Sequence, residues 1–260
     1  MIDLMIRLIK ALFGKYKRED SYLSGFTGAI KDKKDVRDYV ITSVGVEVPD
    51  NVSLRGSVKE IKSQGSINSC SAHAICSAIE VMLNIDNPVR YIQLSEKYNY
   101  YYSRQRSNLF PQDSGAYVRE AIKSAQLDGI TTELLHPYNN DINENPSMVA
   151  KSISNIYGKS IFQYYRVYSN ESIKQQLSMM KPVIISVPVY EYWINNKSGN
   201  IRLPTSNDKK IGHHAILITG FNDGYFEVLN SWSSLWGDSG FCNLPMNYVR
   251  NDAWVIELKG

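Results

Sequence analysis

Cysteine is scarce: Cys70, Cys76 and Cys242 are the only three in 260 residues. A small, odd number supplies no disulfide framework, which points to a disulfide-free protein or a reducing compartment such as the cytoplasm. An excess of one charge is lacking too. The net charge is +3, from 29 Lys and Arg against 26 Asp and Glu, and no basic stripe marks nucleic acid as a partner. The four histidines and three cysteines show no zinc-ligand spacing, so neither a metal nor an organic cofactor is expected. No apolar run is long and unbroken enough for a membrane span or a secretory signal peptide. What remains is an ordinary globular composition, 43% hydrophobic and 21% charged, sufficient for one large domain or two lobes.

Residues 1–14 are apolar but interrupted by Asp3, Arg7 and Lys10, which fall on one face at helical periodicity. With Lys15, Lys17 and Arg18 following, this predicts an amphipathic helix. Docking on protein is preferred, and peripheral membrane contact through residues 1–14 is the alternative. Residues 15–46 are polar and weakly patterned and read as an extended arm. The expected division is an N-terminal extension over residues 1–46 and a globular domain over 47–260.

Within that domain, Ala72, Ile75, Cys76, Ile79 and Leu83 recur at three- and four-residue steps, predicting a helix from Cys70 capped by Asn68 or Ser69. Further helices are expected over residues 95–105, 115–127 and 171–180. Short apolar or β-branched runs at 183–189, 214–219, 225–230 and 254–258 read as strands, with Asp223-Gly224 as a hairpin turn. Helices thus gather before about residue 160 and strands after it. This segregation predicts an α+β protein with a helical lobe over about 55–160 and a β lobe over about 161–258.

Four kinds of side chain carry the chemistry. Cys70 opens a helix, where the macrodipole favours a thiolate. Gln64 stands six residues earlier across a Gly65 loop, where its side-chain amide can donate to an oxyanion. His213 and His214 open a strand, and Asn230 ends the next one, sixteen residues on from His214. That spacing returns a carboxamide to the imidazole as an orienting partner, and Trp232 can shield the bond from water. Taken singly, each has a blander reading: a packed thiol, a solvated glutamine, a surface histidine pair, a turn asparagine.

Together the residues resemble the papain family of cysteine peptidases. The resemblance rests on Gln64-Gly65 through Ser69-Cys70, on His214-Ala215 before an apolar strand, and on Asn230-Ser231-Trp232 with Trp236-Gly237 and Gly240-Phe241. It extends to 49–55, to Leu94-Ser95 with Tyr100, Tyr101 and Arg104, and to Asp113 through Ala116, covering about 48–258. It implies a two-lobed fold, a helical lobe facing an antiparallel β-barrel-like lobe across a cleft. It makes Cys70 the nucleophile, His214 the base, Asn230 its orienter and Gln64 the oxyanion donor of an endopeptidase working through an acyl-enzyme on peptide or protein substrates. Ser114 and Gly115 are implied in substrate contact, with Ser69, His213 and Trp232 beside them.

The sequence also departs from that pattern. Ile67 stands where a disulfide cysteine is usual, Asn68 where a glycine is, Ser71 where an aromatic is, and Ser233 where a glycine is. His73, one turn beyond Cys70, is read as a packed neutral histidine in preference to a rival base. The extension 1–46 is short for the family's pro-domain and is expected to tether or regulate. The competing functions are a catalytically silent peptide-binding relative, a thiol amidase or deconjugating hydrolase, and a membrane-peripheral scaffold.

Overall fold

The computed structural model describes residues 25–41, 45–89, 91–157, 161–249 and 253–258. The amphipathic helix expected over residues 1–14 lies outside them. Among the described residues no helix is long and apolar enough to cross a membrane.

The chain enters as an extended arm bearing two short strands, β1 (Ala29–Ile30) and β2 (Val40–Ile41), followed by β3 (Val52–Ser53). Helix α1 (Cys70–Asp86) comes next and is buried on nearly every side from Cys70 to Val81. Its small and apolar residues allow this, because an all-round apolar helix belongs in a core. Then follow α2 (Glu96–Arg106), β4 (Ala116–Tyr117), α3 (Val118–Leu127) and α4 (Met148–Tyr157). Helix α2 begins as its sequence suggests, with the Ser95 hydroxyl accepting from the Tyr98 N–H at 3.1 Å. Helix α3 starts three residues later than its pattern suggests, because Ala116 and Tyr117 are drawn into parallel pairing with Ala29 and Ile30.

The second half is a twisted sheet of β5 (Ile161–Val167), β6 (Val183–Tyr190), β7 (Lys210–Asn222), β8 (Tyr225–Leu229), β9 (Phe241–Pro245) and β10 (Ala253–Leu258). Helices α5 (Asn170–Ser178) and α6 (Glu191–Ile194) interrupt its strands in sequence. The order is β2-β5-β10-β6-β7-β8-β9, with β3 pairing on β7. All pairings in this sheet are antiparallel except β2 with β5. The result is an α+β fold. Strands β5 and β9 escape the sequence reading because 161–167 mixes Gln, Tyr and Arg with apolar residues and 241–245 is short. The main core runs from α1 into the sheet, from Ile75 and Ile79 to Ile216, Ile218 and Trp254.

One buried charge cluster ties the helical half together. Lys62 donates to Glu80 at 2.5 Å and also to Glu96, all three almost wholly buried. Two carboxylates share one ammonium there. Burial and the neighbouring Glu96 raise the Glu80 pKa above the ordinary 4.5, against the pull of Lys62.

Candidate active site

Cys70 is the first residue of α1 and is reached from Gln64 through a tight loop in which Gly65 takes φ +56°. The Ile67 N–H closes this loop on the Gln64 carbonyl at 3.2 Å. The Gln64 side chain is oriented from both ends. Its Oε1 accepts from the Ser231 hydroxyl at 2.7 Å, which turns Nε2 toward the Ile67 carbonyl at 2.8 Å and the Thr27 carbonyl at 3.3 Å. No disulfide reinforces the loop, since all three cysteines are free and buried. A polar staple does so. The Asn68 N–H donates to the Asp113 carboxylate at 3.1 Å and the Asn68 side chain to the Asp113 carbonyl at 2.8 Å. Asp113 also accepts from the Tyr100 hydroxyl at 2.5 Å.

A second support lies beneath the loop. Tyr138, which carries no local sequence signal, donates its hydroxyl proton to the Gln64 carbonyl at 2.9 Å. The Ser69 hydroxyl, 2.5 Å from the Tyr138 oxygen, must therefore donate to it. His73 Nδ1 lies 3.1 Å from the Ser69 carbonyl and 3.3 Å from its hydroxyl. A carbonyl only accepts, so Nδ1 carries a proton. His73 is thus committed to Ser69 and stands edge-on to Tyr138, with centroids 5.0 Å apart. Ser69 occupies the N-cap position but makes no side-chain cap bond.

His214 lies in β7, fully buried, with Nε2 2.7 Å from Asn230 Oδ1. That oxygen also accepts from the Ser231 N–H at 2.8 Å, which identifies it as the carboxamide oxygen. His214 therefore carries its proton on Nε2, and Nδ1 is left basic, without a hydrogen-bond partner among the described residues. The Trp232 indole stacks on the imidazole at 4.7 Å and 30°, sealing the Asn230 bond from solvent. The next residue, Ala215, donates its N–H to Cys70 Sγ at 3.4 Å, which brings the strand against the thiol.

The cleft over these residues is filled by the arm. The Gly28 N–H donates to the His213 carbonyl at 3.2 Å, and the Ala116 N–H donates to the Gly28 carbonyl at 3.0 Å. Phe26 packs edge-on against Trp232 at 5.4 Å. The fit requires glycine: Gly28 has φ +135°, and a Cβ there would come within 2.2 Å of the Asn68 carbonyl oxygen. Cys70 has no exposed surface. Burial pushes its thiol up to about 12, against the N–H groups of Ala215, Ser71, Cys70 and Ala29, which favour the thiolate. Burial likewise takes His214 down to about 4, against the Asn230 bond. With the arm in place both groups are neutral, and desolvation outweighs the helix N-terminus.

Of the residues implied in substrate contact, His213 presents its carbonyl to the cleft while its ring lies 2.9 Å from Lys210 Nζ. Ser114 is exposed at the rim. Gly115 is buried, and a Cβ on it would meet the Gly28 oxygen at 2.0 Å. The backbone partner of the arm is Ala116, one residue beyond the expected pair. Ser69 and Trp232 turn inward to support the loop and the imidazole. Among the described residues no cluster of His, Cys, Asp and Glu has the makings of a metal site.

Residues 48–255 match the family model described as papain family cysteine protease. An uncharacterized peptidase C1-like protein of Acanthamoeba polyphaga mimivirus is 29% identical, the match covering 92% of this chain and 89% of that protein. A cathepsin L-like proteinase of Fasciola hepatica is 26% identical over 77% of this chain, which spans 61% of that relative's length. The crystal structure of xylellain, a cysteine protease from Xylella fastidiosa, superposes with a TM-score of 0.85 at 27% identity, covering 95% of this chain and all of the other.

Proposed function

The chain belongs to the papain family of cysteine proteases and is a cysteine-type peptidase, and we propose that Cys70 is its nucleophile, His214 its base, Asn230 the orienter and Gln64 an oxyanion donor. His214 Nδ1 takes the thiol proton as Sγ attacks the scissile carbonyl carbon. The carbonyl electrons move onto oxygen, where the Gln64 amide and the Cys70 N–H receive the charge. Collapse breaks the C–N bond, the imidazolium proton goes to the leaving amine, and a thioester remains on Cys70. Water, deprotonated by His214, then releases the carboxylic acid and restores the thiol. The substrate is a peptide or protein segment lying extended between the Ala116 N–H and the His213 carbonyl, the places held here by the arm. The kinship does not favour the silent binding relative or the non-peptide amidase.

The observation that carries these roles is the Thr27 carbonyl on Gln64 Nε2, a peptide carbonyl presented to the oxyanion donor beside Cys70. The same observation supports latency. With the cleft filled, substrate enters only after residues 25–30 move. Intact mass after treatment with an epoxysuccinyl thiol-protease probe tests the roles. Gly28→Ala, which drives a methyl group into Asn68 and dislodges the arm, is expected to take up one adduct faster than wild type. Adding Cys70→Ala or His214→Ala to it should abolish the adduct. Labelling that survives Cys70→Ala would place the nucleophile elsewhere.

A further inference from the structure

Residues 25–41 meet the rest of the protein in two chemically different ways. Over the cleft, Thr27, Gly28 and Ala29 touch it through backbone hydrogen bonds and small side chains. Apart from the glycine fit at position 28, these are backbone contacts that an extended peptide also makes, so a substrate competes for them. Beyond Lys31 the chemistry changes. Asp32 is buried and accepts from the Trp254 indole N–H at 2.9 Å and from the Arg119 backbone N–H at 3.2 Å. Arg119 stands in the first turn of α3, whose own N-cap residue, Tyr117, makes no side-chain cap bond. Asp32 therefore caps that helix from outside it, with its charge at the positive end of the dipole.

Asp38 completes the arrangement. The Arg119 guanidinium grips its carboxylate with two bonds, at 3.0 and 2.6 Å, and Arg166 Nε adds a third at 3.2 Å. Arg119 also donates to the Lys33 carbonyl at 2.8 Å. Arg166 is itself buried, lies 3.7 Å from Asp32, and rests on the Trp254 ring at 3.9 Å. Its backbone N–H donates to the Tyr39 carbonyl at 2.8 Å where β2 joins the sheet edge. Forked donors, an indole N–H and an open helix end facing two carboxylates make a built receptor for this acidic stretch.

We infer that the arm is two devices, a plug ending at Lys31 that leaves the cleft and a clamp from Asp32 to Ile41 that stays bound to the working enzyme. The inference rests on the protease reading. Withdrawing Asp32 and Asp38 would take two carboxylates from Arg119 and the buried Arg166 and uncap α3, a heavy cost for a switch that must reset or complete. Withdrawing the plug removes a few exchangeable backbone bonds. The boundary of the active protein therefore falls before Asp32, and not near Val48 where the family match begins.

Two measurements on the full-length chain test this. In the first, the protein is incubated with the epoxysuccinyl probe, and the intact mass of every labelled species gives its N-terminus. Labelled species are expected to be uncut or to begin no later than Asp32; labelled enzyme beginning after Ile41 overturns the inference. In the second, Asp32→Asn with Asp38→Asn is melted beside Gly28→Ala. The double variant is expected to lose about 5 °C or more in Tm, while Gly28→Ala changes Tm little and raises probe labelling at least about tenfold. An unchanged Tm in the double variant overturns the clamp. Absence of labelling in every folded variant counts against the protease reading, and the melting comparison still decides the clamp.

Discussion

The Thr27 carbonyl lies 3.3 Å from the Gln64 side-chain nitrogen, so the amide proposed to receive an oxyanion is already answered by the chain's own backbone. Gln64→Ala, made in the Gly28→Ala protein with its cleft open, is expected to lower kcat about 100-fold with little change in KM. Alkylation of Cys70 by iodoacetamide, which forms no oxyanion, should continue at the parent rate. A parallel fall in alkylation would mean that Gln64 only holds the loop together.

Tyr138 reaches the same loop from below. Tyr138→Phe keeps the ring against His73 and removes only the hydroxyl that the Gln64 carbonyl accepts from. A loss of about tenfold in kcat is expected, the worth of one misplaced hydrogen-bond donor. Peptide hydrolysis compared with iodoacetamide alkylation reads this, and equal rates of hydrolysis in variant and parent would refute it.

The pH dependence of alkylation separates closed from open protein. With the arm in place burial pushes the thiol up to about 12 against an ordinary 9.0, so at neutral pH it holds far less thiolate than a free cysteine. Wild type should therefore react slowly at neutral pH and faster as pH rises. In Gly28→Ala the desolvation is relieved, and reactivity should appear at lower pH. Superimposable profiles would show that the arm does not govern the thiol.

Lys62 with Glu80 and Glu96 gives a stability prediction. Lys62→Met takes the shared ammonium from two buried carboxylates and is expected to cost about 3 kcal/mol or more, read by denaturant unfolding. Glu80 holds its proton to higher pH folded than unfolded. Above the unfolded value of 4.5 the folded state binds more protons, so this group's contribution declines as pH rises. Glu80→Gln should flatten that decline between about pH 5 and about pH 8. A slope identical to wild type would remove Glu80 from the account.

The pairing of His214 with Asn230 was legible because His214 heads the apolar stretch of β7 and Asn230 follows β8, and the period and spacing of such stretches are local properties. Cys70 at a helix start and Gln64 across a glycine loop were legible for the same reason. The arm was not. Residues 25–41 are polar, carry no period, and owe their order to Ala116, His213, Arg119 and Arg166, none of them near in sequence. Tyr138 and Ser231 escaped likewise, since a hydroxyl's partner is set by tertiary packing. The cap expected from Asn68 or Ser69 is not made: Ser69 holds the N-cap position at φ −98° and ψ 17°, away from the extended backbone of a capping residue, and the Asn68 side chain turns to Asp113. That the arm pairs with Ala116 follows from strand register, which no single-residue pattern encodes.

The Asn68–Asp113–Tyr100 staple has a consequence for handling this enzyme. A thiol nucleophile works only while reduced, and the reagents that keep it so attack any cross-link made of sulfur. Here the loop that carries Cys70, the proposed nucleophile, is fastened by oxygen and nitrogen, so reductant can be raised until that thiol is fully protected without loosening its support.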